Sequence, residues 1–332
     1  MALIVAVSGA TSGIGRAIVQ AFARQGAHLG LLARGEEGLE GARRDAERLG
    51  GQAIAVPTDV ADAAQVEAAA SVVEQRLGPI DVWVNVAMVT VFAPFTEIEP
   101  EEYRRATEVT YLGTVWGTRS ALARMLPRDR GAIVLVGSAM AYRGIPLQSA
   151  YCGAKHGIKG FFESVRTELL HRGSRVTLSM VQLPGVNTPQ FEHCATKMPK
   201  KPMPVPPIYQ PELAADAVVL AAREGRREVW VGIPTVLTIW GNRVASALVD
   251  RYLARSGYGS QQTAEAQPEP RQGNLFSPVA GDPGAHGPFD EKAHRRDPVL
   301  WLSEHRTGVL GGALAAVLAV SGVGLGRRRW AR

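Results

Sequence analysis

The chain has 332 residues, of which 46% are apolar, and its 37 Lys and Arg outnumber 31 Asp and Glu to give a net charge of +6. That length suits one large α/β domain with an appendage, and the interleaved charges carry no basic-plus-aromatic pattern that would mark a nucleic-acid partner. Two cysteines, Cys152 and Cys194, are too few for a disulfide scaffold and fit a reducing compartment.

The apolar run at 3–8 leads straight into Gly9-Ala-Thr-Ser-Gly-Ile-Gly15 and a helical pattern over 13–25. Lacking a basic start, the run reads as a strand and not as a signal peptide. Glycines let the backbone turn sharply and approach a ligand. The amides that open the next helix then form an anion site suited to a pyrophosphate. The spacing Gly-x-x-x-Gly-x-Gly differs from the common Gly-x-Gly-x-x-Gly fingerprint. Further runs of strand length follow at 28–33, 52–57, 81–87, 131–138, 175–183 and 228–232, between helical stretches at 61–77, 100–126, 149–171 and 211–223. Strands alternating with helices predict a Rossmann-type α/β fold, a doubly wound parallel sheet in a single domain over 1–255. Ligands of such sheets sit at the carboxyl ends of the strands. The glycine turn, Asp59, Asn85, Ser138 and Gly185 all fall at such ends. Tyr151 and Lys155, four apart, share one helix face.

In their order and spacing, these pieces resemble the short-chain dehydrogenase/reductase family over 1–255. They are the glycine turn, Asp59-Val60, Asn85-Val-Ala87, Ser138, Tyr151 with Lys155, and Pro184-Gly185 with Thr188. The resemblance implies hydride transfer between a nicotinamide and a carbonyl or alcohol substrate. It implies cofactor contacts from Gly9, Thr11, Ser12, Gly13, Ile14, Gly15, Asp59, Val60, Asn85, Ala87, Tyr151, Lys155, Pro184, Gly185 and Thr188. Tyr151 becomes the acid/base. A phenol ordinarily titrates near 10, too high for an efficient base near neutrality, and the Lys155 ammonium is expected to lower it. Lys155 also serves as a ribose ligand, and Ser138 bonds the carbonyl oxygen as charge develops. Two positions depart from the family pattern. Thr110 stands where an Asn supports a proton relay, offering a shorter side chain for that catalytic task, and Met88 stands where a Gly is expected. These departures motivate an alternative, a membrane-tethered module that binds or senses a dinucleotide without turnover. The second strand ends without an acidic residue but offers Arg34, whose planar guanidinium suits a 2′-phosphate, so NADP is expected ahead of NAD. By the same resemblance, the helices at 100–126 and 149–171 imply a homo-oligomer.

Between Pro184 and Pro211 the chain is rich in proline and carries Phe191, Met198, Met203 and Tyr209. In the family this region covers the substrate, and its apolar side chains favour a lipophilic one. His193 and Cys194 have no further ligands at metal-site spacing, so no metal is expected. Residues 256–300 lack apolar periodicity and are predicted to be a flexible linker. The stretch 307–326 holds no charge, long enough as a helix to cross a bilayer core of about 30 Å. A transmembrane helix is therefore predicted within 301–326, followed by a basic tail at 327–332, with the large domain on the cytoplasmic side.

Overall fold

A computed structural model describes residues 2–267 and 269–308. Its centre is a parallel sheet built from β1 (Ile4–Ser8), β2 (His28–Ala33), β3 (Gln52–Pro57), β4 (Val82–Asn85), β5 (Ala132–Val136), β6 (Thr177–Gln182) and β7 (Glu228–Trp230). Their order across the sheet is β7-β6-β5-β4-β1-β2-β3. All five residues of β1 are buried, as expected of a central parallel strand covered on both faces. The order reverses direction between β1 and β4, and the crevice beyond their carboxyl ends is where such sheets bind ligands.

Two cores flank the sheet. On one side α1 (Gly13–Ala23), α2 (Glu36–Arg48) and Pro211–Glu224 bury Ile18, Phe22, Leu39 and Val218 against Val5, Val7 and Val134. On the other side α3 (Ala63–Leu77), α4 (Pro100–Thr107), α5 (Gly113–Met125) and α6 (Ser149–His171) bury Val73, Ala106, Met125 and Phe162 around Trp83 and Ile133. The helix expected over 100–126 is interrupted. A π-helical turn at Glu108–Leu112 separates α4 from α5 and carries Thr110. After β7, α7 (Ile233–Ser256) closes the part of the chain predicted to form the domain.

The predicted linker at 256–300 is instead folded onto the domain. Gln262–Ala266 pairs antiparallel with Lys200–Pro202. Ala293–His294 joins Ile208–Tyr209 and Gly185–Val186 in a small parallel ribbon. A final helix, Pro298–Glu304, is capped by Asp297, which accepts from Val299 and Leu300 and also from the Gly232 amide. The segment shows no apolar period because it is fastened by backbone pairing and by isolated anchors such as Leu275 and Leu300, both buried. The predicted membrane helix falls outside the described residues beyond 308, as does the tail at 327–332. Its first positions, 301–304, belong to the Pro298–Glu304 helix. No helix among the described residues is long and apolar enough to cross a membrane.

Candidate active site

The glycine turn joins β1 to α1 at the switch point. Gly9 has a φ of +77°, and a Cβ there would lie 2.7 Å from the Ala87 Cα. Its amide donates to the Leu32 carbonyl at 2.7 Å. A Cβ on Gly15 would fall 2.0 Å from the Gly9 carbonyl oxygen, so the turn closes on itself only with hydrogen there. The result is a cleft floored by Thr11, Ser12, Gly13, Ile14 and Gly15, with Val60, Ala87 and Met88 along its sides. Ser12 takes the N-cap position of α1 in an extended conformation without a side-chain cap, and the Gly13 amide that follows donates to the Gly284 carbonyl at 2.9 Å.

Ser138, two residues beyond β5, is buried and accepts from the Met140 amide at 3.2 Å. Tyr151 and Lys155 project from the first two turns of α6. Lys155 is buried and donates to the Val136 carbonyl at 2.7 Å, with its Nζ 5.5 Å from the centroid of the Tyr151 ring. Ser138, Tyr151 and Lys155 therefore share the cleft with the glycine turn. Burial pushes the Tyr151 phenol above its usual value, against a smaller downward pull from the Ser138 hydroxyl. Burial also lowers the Lys155 ammonium to about 8. The expected lowering of the phenol by Lys155 is thus overridden. The ammonium is turned onto a backbone carbonyl behind the ring, and desolvation favours the neutral form of both groups.

At the far end, Arg34 and Asp59 line the cleft. Asp59 pairs with Arg105 at 2.5 Å and accepts from the Ala61 amide. Burial lowers the Arg34 pKa, as does neighbouring Arg105, while Asp59 acts in the opposite direction. Pro184, Gly185 and Thr188 form part of the wall, and Thr188 packs where a Cβ on Gly13 would stand.

Two expected site residues point elsewhere. The Asn85 side chain is buried behind the sheet, accepting from Trp83 Nε1 at 3.0 Å and donating to Thr118 at 3.1 Å, so it is not among the residues lining the cleft. Strand alternation places Trp83 and Asn85 on one face, which the sequence pattern contains. The Thr110 hydroxyl is likewise spent, accepting from the Val89 amide at 3.1 Å and donating to the Val89 carbonyl at 3.0 Å. It fixes the loop after β4 and offers no donor to a proton path. Of the apolar residues expected over the substrate, Phe191 and Met203 line the cleft, whereas Met198 and Tyr209 are packed in cores. The sequence reading missed Met140, Gln148, His193 and the segment Asn274–Pro283 as wall residues. For the last of these, the only sequence signal was an isolated Asn-Leu-Phe in a polar stretch.

Residues 3–198 match the short chain dehydrogenase family. The chain is 31% identical over 271 residues to the Bacillus subtilis (strain 168) protein named "Uncharacterized oxidoreductase YxnA", covering 81% of this chain and 76% of that one. It is 32% identical over 232 residues to 3-dehydrosphinganine reductase of Danio rerio, covering 67% of this chain and 68% of that one. Among solved structures it resembles a metagenomic short-chain oxidoreductase in complex with NADP, with a TM-score of 0.59 and 27% identity, covering 69% of this chain and 95% of that one. Fold, glycine turn and matches together define an oxidoreductase with a Rossmann-like parallel sheet. The chain belongs to the short-chain dehydrogenase/reductase family, whose members bind NAD(P).

Proposed function

We propose that this protein is an NADP-preferring dehydrogenase or reductase that transfers a hydride between nicotinamide and a lipophilic carbonyl or alcohol carbon. The observation that carries this reading is the meeting of Ser138, Tyr151 and Lys155 in the cleft floored by the glycine turn. The residues present fit a dinucleotide. The hydrogen-only positions at Gly9 and Gly15 let the turn pack tightly on Ala87 and on itself, which gives the cleft a backbone floor, and a helix start such as that of α1 favours an anion. When bound, the cofactor supplies or accepts the hydride.

The chain's own groups do the rest. Thr11, Ser12 and the amides after Gly13 at the start of α1 hold the phosphates, Asp59 and Val60 flank the adenine end, and Arg34 takes a 2′-phosphate. Tyr151 gives a proton to the carbonyl oxygen in reduction or takes one from the alcohol in oxidation. Ser138 donates to the same oxygen as charge builds on it. The Lys155 ammonium, held on the Val136 carbonyl with its Nζ 5.5 Å from the centre of the Tyr151 ring, bonds the ribose. Thr110 acts by holding Val89 and not as a relay. Met140, Phe191, Met203, Pro204 and Val205 give the substrate end an apolar lining, which supports a lipophilic substrate.

The test is Tyr151→Phe, assayed with NADPH and a panel of carbonyls. The variant is expected to bind NADPH as the wild type does and to lose about 100- to 10,000-fold in kcat, the range for a positioned acid/base. Retained turnover would sink the assignment. A wild-type protein that binds NADPH and reduces none of the panel would favour the non-catalytic module.

A further inference from the structure

The stretch 271–287 belongs neither to the sheet nor to its covering helices, yet it forms the outer rim of the dinucleotide cleft. Asn274, Pro278, Val279, Gly281 and Pro283 line the cleft. The stretch is fastened at several points. Leu275 is fully buried in the core that surrounds Trp83. Arg16, only 3% exposed, spreads its guanidinium over Asp282 at 2.9 and 3.3 Å. The Gly13 amide donates to the Gly284 carbonyl at 2.9 Å. On α2, Gly41 leaves the room this requires, because a Cβ there would sit 2.0 Å from the Asp282 carboxylate.

This strap grips Arg34. Arg34 Nη1 donates to the Phe276 carbonyl at 2.9 Å and to the Leu275 carbonyl at 3.4 Å, and Nη2 donates to the Asn274 carbonyl at 2.5 Å. A guanidinium has five N–H donors. Three serve the strap, and the other two have no acceptor among the described residues. The partners are carbonyls and not carboxylates, so Arg34 has no ion-pair partner among the described residues and its charge can meet a ligand. The nearby carboxylate of Asp59 is taken up by Arg105, whose Nε also donates to the Leu275 carbonyl at 3.2 Å.

We propose that residues 274–276 are positioning residues for cofactor choice: their carbonyls hold the Arg34 guanidinium ready for the 2′-phosphate of NADP, and the strap walls that end of the site. A guanidinium already held in place loses less rotamer freedom when it binds. The strap therefore strengthens NADP binding through the 2′-phosphate and adds little for NAD, which lacks that group. The inference rests on the dinucleotide reading given above.

The experiment measures Kd for NADPH and NADH by titration of full-length wild type, Arg34→Ala, Leu275→Ala and Asp282→Ala. Wild type is expected to prefer NADPH, and Arg34→Ala to lose that preference. Leu275→Ala, which loosens the anchor beside the three carbonyls, is expected to weaken NADPH about tenfold, the scale of one charge-assisted hydrogen bond, and NADH less than about twofold. Asp282→Ala alters a more exposed side chain, should shift the same ratio by a smaller factor, and decides alone if Leu275→Ala does not fold. An NADPH-to-NADH ratio that stays at the wild-type value in the folded strap variants overturns the proposal, as does an equal loss for both cofactors or a wild type that prefers NADH. A wild type that binds neither dinucleotide overturns the reading of the cleft itself, an outcome distinct from intact binding with an unmoved ratio.

Discussion

Arg16 carries a load that can be weighed. From α1 it donates to Asp45 at 2.9 Å, to Asp282 at 2.9 and 3.3 Å, and to the carbonyls of Thr11 and Gly38 at 3.2 and 3.3 Å. Arg16→Met keeps the apolar stem but leaves two carboxylates and two carbonyls without their donor. Removing one partner of a buried ion pair costs about 3–5 kcal/mol. Asp282 is 36% exposed and Asp45 17%, so water recovers part of the loss and the lower end, about 3 kcal/mol, applies. At roughly 2–4 °C per kcal/mol for a domain of this size, the melting temperature should fall by about 6–12 °C. Asp282→Ala alone removes the more exposed partner and should cost about 1 kcal/mol, or roughly 2–4 °C. The double variant should melt above the sum of the two losses, because the residues share one interaction. Differential scanning calorimetry of the four proteins reads all three quantities. A fall of less than about 3 °C for Arg16→Met, or strict additivity, would refute the account of Arg16 as the pin that joins α1, α2 and the strap.

Lys155 predicts a pH dependence. Its ammonium titrates at about 8 in the fold, so kcat/KM should decline as pH rises through about 8, and Lys155→Met should remove that limb. A limb unchanged in the variant belongs to another group. The same shift bears on stability. The folded pKa lies below the usual 10.5, so between the two values the unfolded chain binds more protons, and the contribution of Lys155 to stability rises with pH across that window. Thr110→Val should cost about 1–3 kcal/mol, read as a lower melting temperature, because the Val89 amide and carbonyl lose their buried partner. It should leave the pH profile of kcat in place, and a displaced profile would restore Thr110 to a proton path.

Much of the fold lies open in the sequence. β2 and β3 occupy the runs at 28–33 and 52–57, because short β-rich segments between helical stretches leave few other readings. The glycine turn is legible because its geometry tolerates only hydrogen at Gly9 and Gly15. Side-chain direction is less so. Asn85 and Thr110 stand at family positions, but identity at a position does not say whether a polar group meets a ligand or a neighbouring backbone. The strap was the least legible element. Its hold on Arg34 runs through main-chain carbonyls that any residue would supply, and its ion pair joins Arg16 to Asp282 across 266 positions. No local period records such links. A polar, proline- and glycine-rich stretch therefore reads as a linker even when the fold pins it down.

The placement of this strap also sets an order of events at the ribosome. The last strand of the main sheet ends at Trp230, whereas the rim of the cleft comes from Asn274–Pro283 and the small ribbon beside it is completed by Ala293–His294. The sheet can thus pair while the cleft is still a half-open trough, and its two cores close only when Leu275, Ala285 and Leu300 arrive with the rim. On the reading proposed above, a nascent chain offers a dinucleotide the floor of the cleft first, and the wall that would distinguish one dinucleotide from another is made only after the sheet is complete.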